Sequence, residues 1–253
     1  MTNCLVSQTK GFEKPSRFRV EIANDTARIE ECYRLRYEIF ANELGAKLHG
    51  PSRLDKDRFD QYCKHLVVID NQTDSIVATT RLLADADTAC TGGFYSASEF
   101  DVRNVIKLPG RFMEVGRTCV HKDFRKGGVL ALLWQGIARI VSMYSVDYLV
   151  GCASIPLSAG DQYINSLMHV LRTRHFSPKT QRVRPLIPLR TSDTPVIEDV
   201  IMPPLLKGYI RQGALICGEP YLDAEFGVAD VFVMLDCENI TQRYVRHFLA
   251  NKA

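Results

Sequence analysis

Residues 113–136 read MEVGRTCVHKDFRKGGVLALLWQG. The first eight are a β-rich, largely apolar run, and from Val129 onward apolar residues recur at helical spacing. Between them lies a basic turn, Arg125-Lys126-Gly127-Gly128. A strand–glycine turn–helix junction exposes free backbone N–H groups at the positive end of a helix dipole. Glycines let main chain approach a phosphate closely, and Arg125 and Lys126 add charge. The turn is therefore an expected anion cradle, although it matches neither GxxxxGK[ST] nor GxGxxG. The plainer reading is a Gly-Gly loop with solvated basic residues.

The strand leading in carries Glu114 and Arg117 among Phe112, Met113, Val115 and Val120. Charged groups are rarely buried without a partner or a purpose. In a regular strand positions 114 and 117 face opposite sides. Gly116 lies between them, where a bulge would turn both towards one cleft.

Outward from this segment, RFRVEI (17–22) reads as a first strand, and Asn24-Asp25-Thr26 offers a helix N-cap. The next helix carries Ile29, Cys32, Tyr33, Arg36, Ile39 and Phe40 at helical spacing. Residues 43–62 read as a long polar loop, followed by strands at 65–70 and 75–83 joined by the turn NQTD. Downstream, DYLVGCASI (147–155) is a buried strand. A helix is expected over 158–176 from a Ser158 N-cap, and a further helix and strand pair over 203–236. The order implies mixed α/β (α+β): a central twisted mixed sheet flanked by helices, with a C-terminal helix/strand extension. Residues 1–16 read as a loose arm and 17–253 as one domain.

Of 253 residues, 46% are hydrophobic and 24% charged, with a net charge of +3. That is an ordinary globular balance, too mildly basic for a dedicated nucleic-acid binder. Neither an export signal nor a membrane-spanning run is visible, so a cytoplasmic location is expected. The 8 cysteines are scattered without a CxxC and read as reduced thiols, and no metal site is expected. Residues 171–190 stand apart, with basic residues and no acidic ones.

Asp55, Asp57 and Asp60 cluster in the 43–62 loop, where they could meet a substrate ammonium or pair with Arg36 and Arg81. They lack EF-hand spacing. His65 and Asp70 fit H-x-x-x-x-D, but five residues apart on a strand they face opposite ways. GxSxG is absent, and Cys119 and Cys152 have no evident base, which argues against a covalent intermediate.

VGRTCVHKDFRKGGVLALLWQGIAR resembles the strand–pyrophosphate-loop–helix core of GNAT-type acyltransferases. LRYEIFANELG, LDKDRFDQYCKHLVVID, GGFYSASEFD, MEVGRTCVHKDFRKGG and PYLDAEFGVADVFVML are similar to the L-ornithine N-alpha-acyltransferase branch, across roughly residues 30–250. A more distant likeness is to acyl-homoserine-lactone synthases, through Arg36, Phe40, Asp57, Asp60, Arg81 and the pair Glu114 and Arg117.

The resemblance implies transfer of a 3-hydroxyacyl chain from acyl carrier protein to the α-amine of ornithine, giving lyso-ornithine lipid. It implies no permanently bound cofactor, the donor arm being the carrier's phosphopantetheine. Glu114, with Arg117, would be catalytic. Val120, Arg125, Lys126, Gly127 and Gly128 would hold the donor, their adjacent glycines suiting one phosphodiester better than a pyrophosphate. Arg36, Asp57, Asp60 and Arg81 would organise the amino-acid pocket. The basic segment 171–190 would meet acidic carrier protein or, peripherally, the anionic inner face of a membrane. Alternatives are another acceptor such as glycine or tyrosine, a lactone-signal synthase, or a non-catalytic binding module.

Overall fold

The computed structural model describes residues 16–48, 53–126, 128–190, 196–197 and 199–238. The expected N-terminal arm, Ser16 excepted, and Gly127 of the basic turn lie outside the described residues. Strand β1 (Phe18–Ala23) leads into helix α1 (Thr26–Tyr37). Asp25 caps that helix, its Oδ1 accepting the Arg28 N–H at 2.9 Å. The helix continues as a π-type turn over Glu38–Glu43.

Strands β2 (Lys64–Asp70) and β3 (Ser75–Ala84) form the expected hairpin. Short pieces follow: helix α2 (Thr88–Thr91), a 3-10 turn at Tyr95–Ser98, β4 (Phe100–Asp101) and α3 (Arg103–Ile106). Then come β5 (Phe112–Val120), α4 (Val129–Tyr144), β6 (Tyr148–Pro156) and α5 (Asp161–Arg174). Helix α5 begins three residues later than expected. Gly160, at φ +84 and ψ 158, holds a backbone shape open to glycine but not to a helix, so Ser158 is left in a separate short turn. The remaining elements are β7 (Arg184–Pro185), α6 (Pro204–Gln212), β8 (Leu215–Ile216), β9 (Tyr221–Asp223) and β10 (Val228–Asp236).

The main sheet runs β1-β2-β3-β5-β6-β10-β8, with β9 also on β10 and a separate β4–β7 pair. Alternation along β2 sets its two faces: Leu66 and Val68 enter one core, and Val67 and Ile69 another. The first core takes the apolar stripes of α4, α5 and α6. Helix α4 packs closely, because a Cβ on Gly136 would lie 2.8 Å from side-chain atoms of Val20 and Leu66. The second core takes Cys32 and Leu35 of α1. A third gathers Phe59, Phe94, Phe100, Phe112 and Phe232 around the segment between β3 and β5.

One irregularity positions the site. Strand β5 pairs with β3 from Ala84↔Met113 to Ala78↔Val120, but runs parallel to β6 only from Phe112↔Tyr148 to Glu114↔Val150. Beyond that point β6 stays with β10 as far as Pro156↔Val228, so β5 and β6 part like a wedge. At the apex a Cβ on Gly151 would lie 2.3 Å from the Val115 carbonyl oxygen, so only glycine lets the strands meet there. Gly151→Ala is expected to cost about 1–3 kcal/mol. For a domain of this size that lowers Tm by about 2–12 °C, which thermal melts would read.

Candidate active site

The wedge opens beside a β-bulge. Thr79 pairs with Cys119 and Arg81 with Gly116, so Thr80 faces both Arg117 and Thr118. The extra residue reverses side-chain parity, and Glu114 and Arg117 line the same cavity of about 90 Å³. The left-handed backbone sits at Arg117, with φ +50, and not at Gly116. A Cβ at 116 would make only an ordinary 3.8 Å contact with Arg81, so the glycine is not what creates the bulge. A non-glycine residue in this region is strained by roughly 1–3 kcal/mol and persists where its surroundings over-determine it. Here Tyr95 and Phe226 clamp the guanidinium at 4.8 and 4.6 Å from their ring centroids.

Behind Arg117 lies a lattice of three arginines and three aspartates. Arg36 reaches Asp55 through Nε at 2.8 Å and Asp60 through Nη1 at 2.6 Å. Arg81 Nη1 bonds Asp57 at 2.7 Å and Asp60 at 3.2 Å. Arg117 stands 3.3 Å from Asp55 and 3.6 Å from Asp57. Burial alone would raise the Asp60 pKa, but the charges of Arg36 and Arg81 outweigh it and hold the carboxyl well below its usual range. Arg36, 1% exposed, is held charged by Asp55 and Asp60 against its own desolvation. The structure thus brings Arg36, Arg81, Asp57 and Asp60 together, chiefly with one another. His65 sits behind them, Nε2 3.2 Å from the Asp60 carbonyl, while Asp70 pairs with Arg17.

Glu114 is buried, and both oxygens accept main-chain donors: Oε2 from Tyr95 N–H at 2.6 Å and Oε1 from Ser96 N–H at 2.8 Å. Burial raises its pKa and these bonds offset part of the rise. Its immediate effect is to pin Tyr95 over Arg117. The neighbouring thiols are poor nucleophiles, since burial pushes Cys119 up to about 12 and Cys152 well above its ordinary value.

A second acidic group shares the cavity. Glu99, Asp223 and Asp230 line it, with one oxygen from each within 4.8 Å of the others. Desolvation, with the Asp230 charge adding, pushes Glu99 up to about 8. Desolvation likewise raises Asp230 to about 6. Sequence reasoning missed these three and the Tyr95–Phe226 clamp. Asp230 carries the same signature as Glu114, a lone carboxylate in an apolar strand, and that rule could have found it.

The basic turn lies at the far end of β5. Gly128, at φ +82, caps α4, and a Cβ there would meet nothing within 4 Å. Lys126 is exposed. Arg125 is turned back: Nε bonds the Val120 carbonyl at 3.1 Å, and its guanidinium pairs with Glu43 at the end of the π-type turn. Glu43 is drawn down in pKa by that arginine.

Two outcomes follow from the contrasting charge groups. Removing one partner of a buried pair leaves the other uncompensated, so Asp60→Asn is expected to destabilise by about 3–5 kcal/mol in chemical denaturation. The cavity acids act with the opposite sign. Glu99 and Asp230 bind protons more tightly folded than unfolded, so their contribution is favourable below pH 4 and is lost as pH rises through about 6 and 8. Thermal melts should show stability falling from pH 5 to 8, and a flatter profile in Glu99→Gln.

Comparison with known proteins fits this geometry. A GNAT acetyltransferase-domain family model matches residues 35–135. The L-ornithine N(alpha)-acyltransferase of Brucella abortus is 34% identical, covering 90% of this chain and 88% of the relative. That of Agrobacterium fabrum is 32% identical over 94% and 87%. Among solved structures, the AHL synthase LasI matches with TM-score 0.53 at 14% identity, covering 88% of this chain and 91% of that one. The CoA-dependent acyl-homoserine lactone synthase BjaI matches with TM-score 0.53 at 13% identity, over 87% and 82%. These two share the fold. The sheet parted beside α4, together with identity to curated relatives along nearly the whole chain, places this protein in the L-ornithine N(alpha)-acyltransferase family of GNAT-fold, acyl-transferring enzymes.

Proposed function

We propose that this enzyme moves a 3-hydroxy fatty acyl group from the phosphopantetheine arm of acyl carrier protein to the α-amine of L-ornithine, yielding lyso-ornithine lipid, the first step of ornithine-lipid synthesis. The observation that carries the reading is the free edge of β5 in the wedge. His121 N–H donates to Val77 at 2.8 Å, so by alternation the Val120 N–H faces the side that β6 has left. There it can polarise a thioester carbonyl. Arg117 lines the cavity, and its guanidinium, backed by Asp55 and Asp57, is suited to the acceptor's α-carboxylate. Arg36, Arg81, Asp57 and Asp60 hold that arginine and the wall behind it.

The amine must lose a proton before it attacks. Glu114 receives it through water, its oxygens already accepting main-chain donors. The C–N bond forms, the C–S bond breaks, and the thiolate leaves with a proton. Lys126, Gly127, Gly128 and the start of α4 receive the phosphodiester, joined by Arg125 once it releases Glu43. That exposed pair is worth only about 0–1 kcal/mol, so it opens cheaply. Arg174, Lys179, Arg184 and Arg190 of the 171–190 segment are exposed, with Leu186 and Ile187 beside them. This surface suits acidic carrier protein, with peripheral contact at the inner membrane face for product release. Among the described residues no helix is long and apolar enough to cross a membrane.

Mass spectrometry after incubation with 3-hydroxyacyl carrier protein and a panel of amino acids tests the reading. N-acyl-ornithine is the expected product. Acetylation from acetyl-CoA without long-chain product would overturn the donor, and preferential acylation of glycine or tyrosine the acceptor. In the same assay, Glu114→Gln should lower kcat by about 10²–10⁴-fold. Arg125→Ala with Lys126→Ala should raise KM for the carrier by about tenfold and leave KM for ornithine within about threefold.

A further inference from the structure

Glu99, Asp223 and Asp230 come from three separate segments: the stretch between the Tyr95–Ser98 turn and β4, the end of β9, and the start of β10. Glu99 is 3% exposed, Asp230 4% and Asp223 8%. Glu99 Oε2 is buried and has no hydrogen-bond partner, although the residue lines the cavity. Ser154 donates to Asp230 Oδ1 at 2.6 Å, and the N–H groups of Glu225 and Phe226 donate to Asp223 Oδ1, both at 2.9 Å. Arg117, whose charge reaches Asp230, pairs with Asp55 and Asp57 instead. Three carboxylates gathered in one buried place, with no paired cation among the described residues, call for one from outside.

We propose that Glu99, Asp223 and Asp230 bind the side-chain ammonium of a diamino-acid acceptor and thereby select ornithine over neutral amino acids. This rests on the reading of the chain as an amino-acid N-acyltransferase. An ammonium making three hydrogen bonds of about 2.8 Å at tetrahedral angles sets its acceptors about 4.6 Å apart. The three oxygens lie within 4.8 Å of one another, so a single ammonium reaches all of them. The partner end of the same molecule is provided for as well. Tyr95 carries a hydroxyl that neighbours both Arg117 and Glu99, so the carboxylate-binding arginine and the ammonium-binding acid flank one phenol. The raised proton affinity of Glu99 and Asp230 describes the empty cluster, which holds a proton where the ammonium N–H groups would go.

The test uses the full chain, 3-hydroxyacyl carrier protein, and ornithine against norvaline, the same carbon chain without the ammonium. The wild-type enzyme should prefer ornithine. Glu99→Gln and Asp230→Asn should each lower the ornithine-over-norvaline ratio of kcat/KM by about ten- to hundredfold, through KM for ornithine. An unchanged ratio, or equal losses on both substrates, would overturn the proposal. So would an ornithine preference abolished by EDTA and restored by Mg²⁺ or Ca²⁺, which would make the cluster a divalent-metal site. Calorimetry of ornithine and norvaline binding without donor separates the two readings. If no amino acid is acylated, the transferase reading fails. The cluster still stands or falls on whether Glu99→Gln weakens ornithine alone. Should one variant fail to fold, judged by its melt, the other decides.

Discussion

Two parallel strands that stay paired for three residues and then separate set the terms for everything else in this molecule. A strand edge left by its neighbour carries N–H and C=O groups that need partners, and burying them unpaired is costly. Along β5 that edge runs from Val115 towards Val120, beside the cavity and up to the basic turn. The fold therefore keeps a row of oriented backbone groups available to a ligand that is itself extended and amide-rich. A pantetheine arm has that chemistry. Gly151 makes the separation abrupt: the strands touch at the Val115 carbonyl and are free immediately afterwards.

The site holds two opposite electrostatic arrangements close together. Around Arg36 three arginines meet three aspartates, and each buried charge finds its counter-charge within the protein. Such a lattice contributes modestly to net stability, yet losing one member is expensive, so it fixes geometry firmly. What it fixes is Arg117, in a left-handed conformation that no isolated arginine would choose. On the other side of Tyr95, the acids at 99, 223 and 230 have no such counterpart among the described residues. A protein can sustain that cost only where function gains from it, since stability and activity trade against each other at sites held ready for a ligand.

The strands and α4 were legible because their signals are local: β2 and β5 are short, mostly apolar runs, and α4 shows its stripe from Val129 to Ile140. The bulge was legible as a parity problem, because Glu114 and Arg117 could share a cleft only if one residue were added. Its location in the backbone was not, since Gly116 invites the assumption that glycine takes the unusual dihedral. Arg117 takes it instead, held by aromatic rings that arrive from the 95 and 226 regions. The acidic cluster was hidden for a related reason. Its members lie far apart in the chain, and each alone reads as an ordinary loop or strand carboxylate.

The π-type turn after α1 ties the basic turn to the cavity. A wider turn changes which side chains face inward, and such turns recur at functional sites. Here six residues carry both Phe40, which lines the cavity and packs on Phe226 at 5.9 Å, and Glu43, which restrains Arg125. Phe226 in turn presses on Arg117. Moving Arg125 away from Glu43 would therefore loosen the same turn whose aromatic neighbour presses on Arg117. The basic turn and the cavity are thus joined through one chain of packed side chains.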